Sequence, residues 1–387
     1  MRRHRWIFCI LWILSLAGIS CFGGAVSYGL FFGISLVPVI CLIYIACVYS
    51  RFKIYQETGG RSMVCGEAVP YFFVLQNEDH FAYTGISVRL FSDFSYVEEL
   101  PGDREYELLP GEKYTFETRL VCRYRGEYEV GVRDVTVTDF FRLFRVSYAN
   151  PGTVKALVRP RIVRLSELRS IGDFRLLLQR EAPAETEPDA VVREYVQGDP
   201  LKRIHWKATA AQGRLMTRLR TGEENQGIAV LADIRRFGRR MEEYLPLENK
   251  ILEVLLALGF FLAGRDIAFS FACGQKHPVE LQVSGMRDFD AFYQSAAQIN
   301  FDGREDFVPV LEGALAAGRF WDSKMIFLVL HEVNDRIMEI TGRLAAQGRA
   351  VVLYAVTDDS LEEYLRQDNG RRRLIPVPVE GGPEEAM

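Results

Sequence analysis

Two long apolar runs at the N-terminus constrain the fold of this chain most. Residues 6–24 and 30–49 contain no charged side chain, and each run is long enough to cross a hydrocarbon core of about 30 Å as a helix. Residues 27–29 make a tight, uncharged connection between them. Because helices joined so closely must fold back on each other, the sequence predicts a transmembrane helical hairpin over residues 1–52.

Positive charge flanks this hairpin at both outer ends. Arg2, Arg3 and Arg5 precede the first run, and Arg51 and Lys53 follow the second. Since cytoplasmic segments next to membrane helices are enriched in Lys and Arg, we expect a multi-pass protein of the plasma membrane whose soluble domains are cytoplasmic. The alternative is that the first run is a secretory signal peptide, which also begins with positive charge, and that the second run is a single anchor.

Residues 53–150 have the pattern of an antiparallel β-sandwich-like domain. The strand-like runs are residues 68–75, 85–90, 114–120 and 135–141. Gly and Pro turn signals separate these runs at roughly 8–12-residue intervals, which is typical of small β domains. The last run ends in an aromatic turn that contains Phe140 and Phe141, and we expect these side chains to pack in the core.

From residue 227 the pattern changes to apolar strands that alternate with amphipathic helices. The predicted strands are residues 228–232, 267–271, 325–330 and 350–356, and the predicted helices are residues 247–263, 289–299, 308–317 and 337–347. This alternation predicts a parallel sheet covered on both faces, a Rossmann-like α/β domain over residues 227–387. Because no dinucleotide or phosphate-binding glycine motif follows the first strand, we expect no cofactor.

Bulk composition excludes several classes of function. The formal net charge of -4 argues against a nucleic-acid-binding protein. The seven cysteines are scattered without a Cys-x-x-Cys pair, so the chain has neither a disulfide framework nor the ligand spacing of a zinc site. The sequence leaves the oligomeric state open.

The connecting region, residues 151–226, contains the densest set of candidate site residues. They are Arg193, Tyr195, Gly198, Asp199, Lys202, Arg203, His205, Trp206, Lys207 and Thr209. Asp199 can cap a helix that has Pro200 at its first position. The basic side chains at that helix start favour an anionic partner group. The alternative is a structural role, in which Asp199 only caps the helix and Trp206 only fills the core.

This stretch, together with Ile204 and Ala210, resembles the signature R-x-Y-x-x-G-D-x-x-R-x-I-x-W-(K/R)-x-(S/T)-A of the bacterial domain-of-unknown-function-58 family. Lys202 stands where that family often has Arg, and Ala211 stands where an Arg often follows. The stretches Arg125-Gly126-x-Tyr128 and Asp139-Phe140-Phe141 also resemble the β region of that family. The resemblance implies two N-terminal membrane helices, a β-rich region, the signature, and a domain similar to von Willebrand factor type A.

The resemblance also implies a class of function. Family members are commonly encoded beside MoxR-type AAA+ ATPases and have no established reaction. The resemblance therefore implies a membrane-anchored scaffold that binds such an ATPase during assembly or activation of a client complex, rather than an enzyme. A hydrolase built on Asp199 and His205 is less favoured, because the sequence contains neither a nucleophile elbow nor a His-Glu-x-x-His motif.

The metal site implied by a domain similar to von Willebrand factor type A is degenerate in this chain. Such domains hold Mg²⁺ through D-x-S-x-S after the first strand, since hard oxygen ligands suit that cation. Here Arg235 and Phe237 replace the two serines after Asp233. Because a guanidinium repels a divalent cation, we expect no metal and predict that Asp233 pairs with Arg235 or caps a helix. The alternative function is a metal-dependent ligand-binding receptor.

Overall fold

The first of two structural units opens with two antiparallel apolar helices. The computed structural model describes residues 2–60, 62–98, 104–166, 168, 191–195, 204, 206–219, 227–274, 279–301, 306–316, 323–385 and 387. It divides the chain into the units Met1–Arg161 and Ile162–Met387. By length and composition, helix α1 (Arg2–Phe22) and helix α2 (Gly24–Arg51) could each cross a membrane.

The turn between these helices lies earlier in the chain than the sequence predicts. The chain reverses at Gly23, whose φ of 60° is in the left-handed region that favours glycine. The predicted link at residues 27–29 is wrong, because these residues belong to the first turns of α2, where the Ser27 hydroxyl donates to the Gly23 carbonyl. The two helices are joined further along by a 2.9 Å hydrogen bond from Trp12 Nε1 to Ser35 Oγ.

Eleven strands follow among the described residues of this unit. They are β1 Lys53–Thr58, β2 Ser62–Val64, β3 Ala68–Gln76, β4 Tyr83–Leu90, β5 Ser95–Val97, β6 Glu105–Leu108, β7 Lys113–Cys122, β8 Gly126–Val130, β9 Val132–Thr138, β10 Arg145–Ala149 and β11 Val154–Arg159. They form sheets with the orders β1-β3-β7-β5, β10-β9-β4-β6 and β2-β11-β8. All pairs are antiparallel except β2 with β11, so the predicted antiparallel β architecture is confirmed.

The core of this β region is built by strand alternation and by the end of α2. On β3, Tyr71, Phe73 and Leu75 alternate inward and are fully buried, as the two-residue period of a strand requires. Tyr44 and Val48 of α2 belong to the same apolar cluster. The hairpin and the β sheets therefore share one core.

Strand β11 belongs to the first unit, although it lies beyond the predicted domain boundary at residue 150. The predicted connecting region, residues 151–226, includes this strand, yet it pairs with β8 and β2. The reason is that a strand can return to a distant sheet after a Pro-Gly turn, which local sequence does not reveal.

The second unit contains a mixed six-stranded sheet between helices. Its described elements are β12 Val191–Glu194, α3 Trp206–Gln212, β13 Met216–Leu219, β14 Gly227–Ala232, α4 Met241–Ala263, β15 Phe269–Cys273, β16 Val279–Val283, α5 Met286–Ala297, α6 Phe307–Ala316, β17 Ser323–Leu330, α7 Asp335–Ala346, β18 Ala350–Val356, α8 Glu362–Leu365, β19 Arg372–Val377 and a 3₁₀ helix, Pro383–Glu385. The sheet order is β16-β15-β14-β17-β18-β19. Only β16 is antiparallel to its neighbour.

Both faces of this sheet are covered, as the sequence predicts. Along β14, Val230 packs into the cluster that contains α4 and α5, whereas Leu231 packs into the cluster that contains α6 and α7. A strand buried on both faces is apolar at nearly every position. For this reason β14, β17 and β18 could be predicted from the apolar runs in the sequence. The remaining strands β12 and β13 form a separate antiparallel pair.

Candidate functional site

The carboxyl ends of β14 and β17 place Asp233 beside His331. Asp233 follows β14 directly, His331 follows β17, and the two strands are parallel neighbours. The Asp233 amide continues the ladder by donating to the Val329 carbonyl at 2.8 Å. The strand order reverses at β14, whose next strand in sequence lies on one side and β17 on the other. Ligands of open α/β sheets bind outside the carboxyl ends at such a reversal.

Arg235 holds the Asp233 carboxylate through Nε and one terminal nitrogen of its guanidinium. Its Nε lies 3.1 Å from each carboxylate oxygen, and its Nη2 lies 2.9 Å from Oδ2. The Arg235 amide donates to Oδ1 as well, at 3.1 Å. The Asp233 side chain is only 1% exposed, so this planar, charge-assisted contact takes place in a dry environment. The predicted pair of Asp233 with Arg235 is therefore confirmed.

Two further carboxylates reach the same guanidinium from other loops. Asp306, immediately before α6, accepts from Nη1 of Arg235 at 3.0 Å, and Glu332 lies 3.4 Å from Nη2. Both side chains are about half exposed. Three carboxylates around one guanidinium have a formal charge of 2 negative units when His331 is neutral. The exposed edge of the site, formed by Asp306 and Glu332, is therefore acidic, although the charge of the buried Asp233 carboxylate is neutralised by Arg235.

His331 and Phe237 close the site on its inner side. The His331 side chain is 4% exposed, and its Nδ1 lies 3.2 Å from Asp233 Oδ2. That contact is not aligned as a hydrogen bond, and neither ring nitrogen has a hydrogen-bond partner within the described part of the chain. It becomes an ion pair only when the imidazole is protonated. The Phe237 ring packs edge-on against His331 and lies beneath the Arg235 guanidinium.

These neighbours determine the pKa of Asp233. Burial raises the pKa of this carboxyl, but its close contacts with His331 and Arg235 outweigh burial and hold it below the ordinary value of an aspartate. Asp233 is therefore ionised at neutral pH. The group is stable there only because a permanent positive charge accompanies it.

The residues present do not fit a divalent cation. The guanidinium already occupies both oxygens of Asp233, and a second cation there would be repelled at close range. Within the described ranges, no group of three or more His, Cys, Asp or Glu side chains is arranged to hold a metal. We therefore assign no metal chemistry to this site.

The signature residues of the connecting region are only partly described. Gly198, Asp199, Lys202, Arg203 and His205 lie outside the described residues, so their predicted roles stay predictions. Arg193 lies on β12 opposite Thr217 of β13, and the Tyr195 amide donates to the Leu215 carbonyl at 2.7 Å. The signature therefore begins on a two-stranded antiparallel ladder.

Helix α3 presents the signature tryptophan to solvent. Trp206 is 69% exposed, and Lys207 beside it is exposed. The Thr209 hydroxyl accepts from the Met216 amide at 3.0 Å and so fastens the helix to β13. The alternative in which Trp206 only fills the core is wrong. Ile204 forms a β-bridge and the described helix begins at Trp206. The helix start predicted at Pro200 lies outside the described residues.

Comparisons with known proteins give only partial similarities. No model of a protein family matches the chain, and no match was found among curated proteins. Among solved structures, native alpha-2-macroglobulin from Escherichia coli, from domain MG7 to the C-terminus, is similar at 16% identity and a TM-score of 0.20. Beta-glucosidase from Listeria innocua is similar at 11% identity and a TM-score of 0.15. These similarities cover 29% and 28% of this chain but only 17% and 16% of theirs, and they carry no argument.

We expect the substitution Arg235→Met to destabilise the second unit by about 3–5 kcal/mol, because it leaves the Asp233 carboxylate buried without a partner. The double variant Asp233→Asn with Arg235→Met also removes the unpaired buried charge and should restore part of the lost stability. Urea unfolding of the detergent-solubilised full chain measures the free energy of unfolding of both variants. Arg239→Met, at an exposed arginine of the same loop, is the matched control. A loss for Arg235→Met no larger than for this control would contradict the pairing.

We expect the stabilisation from Asp233 to disappear at acid pH. Its folded pKa is lowered, so the contribution is fully present above an unfolded pKa of about 3.9 and is lost as the pH falls through the folded value. The measurement is the difference in unfolding free energy between wild type and Asp233→Asn from pH 7 downward. The exposed carboxylates Asp306 and Glu332 are present in both proteins, so their contributions to this difference largely cancel. A difference that stays constant well below pH 4 would contradict this assignment.

Proposed function

We propose that this chain is a membrane-anchored protein-interaction protein, held in the plasma membrane by its N-terminal hairpin with its soluble units in the cytoplasm. Helices α1 and α2 are apolar along their length, and Arg2, Arg5 and Arg51 lie at the two outer ends. The positive-inside rule favours an orientation in which both outer ends of the hairpin are cytoplasmic. In this proposal the chain catalyses no reaction itself.

The second unit is, in this proposal, a Rossmann-like domain of the von Willebrand factor type A kind. When its strands are numbered from β14 onward, their order in the sheet is 3-2-1-4-5-6, which is the order of Rossmann-type sheets. The candidate site lies at the reversal point of that order. Both features support the resemblance that the signature carries.

The observation that carries the proposed function is the position of the Arg235 guanidinium. It binds the first carboxylate after β14, where the resemblance implies a magnesium ion. A fixed side chain supplies the positive charge that a bound ion would supply. Binding of a partner at this site would therefore not depend on the concentration of free cations. This favours a scaffold over the alternative, a metal-dependent receptor.

The proposed partner is a MoxR-type AAA+ ATPase, which the resemblance implies. The exposed Trp206 next to Lys207 supports a protein contact on α3, since a tryptophan is the side chain that most often anchors a protein interface. Thr209 fastens that helix to its ladder, so the anchor is presented on a held element. The chain would recruit the ATPase to the membrane and present a client complex there.

We expect Trp206→Ala to weaken capture of the MoxR-type ATPase by about tenfold or more, as loss of a hot-spot tryptophan does. The full chain is reconstituted in nanodiscs, and the purified ATPase is titrated onto it. Because Trp206 is largely exposed, the variant should keep its fold, which its melting temperature checks.

The matched control for this capture is Met286→Ala, which shortens an exposed apolar side chain on α5. Capture should be unchanged in this control. Equal capture by wild type and Trp206→Ala would remove α3 from the interface. Absence of any capture by the wild type would refute the proposed partner.

We expect magnesium chloride to leave the melting temperature of the wild-type second unit unchanged. In the double variant Arg235→Ser with Phe237→Ser, which restores two hydroxyls beside Asp233 and removes the guanidinium, magnesium should raise the melting temperature. Calcium-free and magnesium-free buffer with a chelator provides the reference. A magnesium-dependent rise in the wild type that Asp233→Ala abolishes would instead establish the metal-dependent receptor.

A further inference from the structure

The turn between β9 and β10 presents two phenylalanines to the outside of the first unit. Phe140 and Phe141 are each 57% exposed, so the expectation that they pack in the core is wrong. We call these two residues the Phe tip. A pair of adjacent phenylalanines at a loop end is an apolar surface that a soluble domain ordinarily buries.

The exposure of the Phe tip is built into the turn. Asp139 is buried, and its Oδ1 accepts from the Phe141 amide at 2.8 Å, while its Oδ2 accepts from the Phe144 amide. Arg142 takes a φ of 56°, a left-handed conformation that non-glycine residues rarely adopt. These contacts fix the backbone so that Leu143 turns inward and the two phenylalanines turn outward.

The turn contacts both helices of the hairpin. The Phe140 ring lies 4.6 Å from the Tyr44 ring of α2, between ring centroids. Arg5 of α1 donates from its Nε to the Leu143 carbonyl at 2.7 Å. The Tyr44 hydroxyl in turn accepts from the Thr84 amide at 2.8 Å. The Phe tip is therefore held at one level along the hairpin.

That level coincides with the edge of a bilayer core. At 1.5 Å per residue, Arg5 lies about 27 Å and Tyr44 about 32 Å along its helix from the turn at Gly23. A hydrocarbon core is about 30 Å thick. With the Gly23 turn at one boundary of the membrane, the residues that hold the Phe tip lie at the other boundary. Aromatic side chains are enriched at this depth in membrane proteins.

We propose that the Phe tip inserts into the lipid interface beside the hairpin and holds the β sheets of the first unit against the membrane surface. The proposal rests on the proposed membrane anchoring of α1 and α2. The two side chains of the tip are apolar, and the neighbouring Arg142 pairs with Glu105 at 2.7 Å. The ligand is therefore the apolar interface of a bilayer, and a zwitterionic lipid is sufficient.

The test places a fluorescent reporter in the tip. The full chain carrying Phe140→dansylalanine, or in a second variant Phe141→dansylalanine, is reconstituted in phosphatidylcholine vesicles. These vesicles contain a phosphatidylcholine with a nitroxide either near the headgroup or at the end of the acyl chain. We expect quenching by the headgroup-proximal nitroxide to exceed that in the control variant roughly threefold, and to exceed quenching by the chain-end nitroxide, as interfacial depth requires.

The control variant is Tyr96→dansylalanine. Tyr96 is also an exposed aromatic of the first unit, at 40%. Tyr96 pairs with Val121 of β7, which lies eight residues along that strand from Lys113. Lys113 pairs with Gln76, and Gln76 pairs with Lys53, two residues after the end of α2. The control therefore lies about 27 Å along the strands from the end of the hairpin.

Alkaline carbonate extraction of the same vesicles separates the two possible failures. A chain that stays in the membrane while both tip reporters are quenched no more than the Tyr96 reporter refutes insertion of the Phe tip and leaves the anchoring intact. A chain released by carbonate refutes the anchoring, and the tip proposal with it. Quenching confined to the tip reporters in a retained chain supports the proposal.

Discussion

A carboxylate buried where parallel strands end is the constraint around which the second unit is organised. Removing an ion from water costs several kcal/mol even after relaxation, and only a well-placed counter-charge offsets this. Arg235 supplies that charge and in doing so draws Asp306 and Glu332 toward Asp233. Three loops are thereby fixed by one guanidinium. In domains with a bound cation at this place, the ion would meet the same electrostatic demand.

Sequence periodicity predicted the centre of each unit better than its edges. Strands β14, β17 and β18 are apolar at nearly every position because both of their faces are buried, and this pattern is independent of distant residues. The two edge strands of this sheet, β16 and β19, were not predicted from the sequence. Along β16 only alternate positions are buried at all, and β19 contains two arginines and a proline. Such segments become strands through a neighbour that local sequence does not reveal.

The candidate site was likewise predicted from the sequence only in part. The pair of Asp233 with Arg235 was predictable, because two residues of spacing in an extended loop bring the side chains together. His331 was not predicted, since its contact depends on the order of strands in the sheet. A signal was nevertheless present: His331 follows the apolar run of β17 directly, as Asp233 follows β14, and carboxyl ends of adjacent parallel strands meet. The signature residues around Asp199 stay a prediction from resemblance.

The aromatic turn shows why a pattern cannot by itself decide between core and surface. A strand that ends in two phenylalanines has the same sequence whether those rings face the core or a lipid phase. The hairpin decides between these possibilities. Tyr44 and Val48 of α2 pack in the same core as the sheets, so the helices and the β region form one folding unit. In that unit the loop with Phe140 and Phe141 contacts Tyr44 of α2 and Arg5 of α1. In the proposed membrane anchoring, the hydrophobic effect favours burial of this loop in the same phase as the two helices.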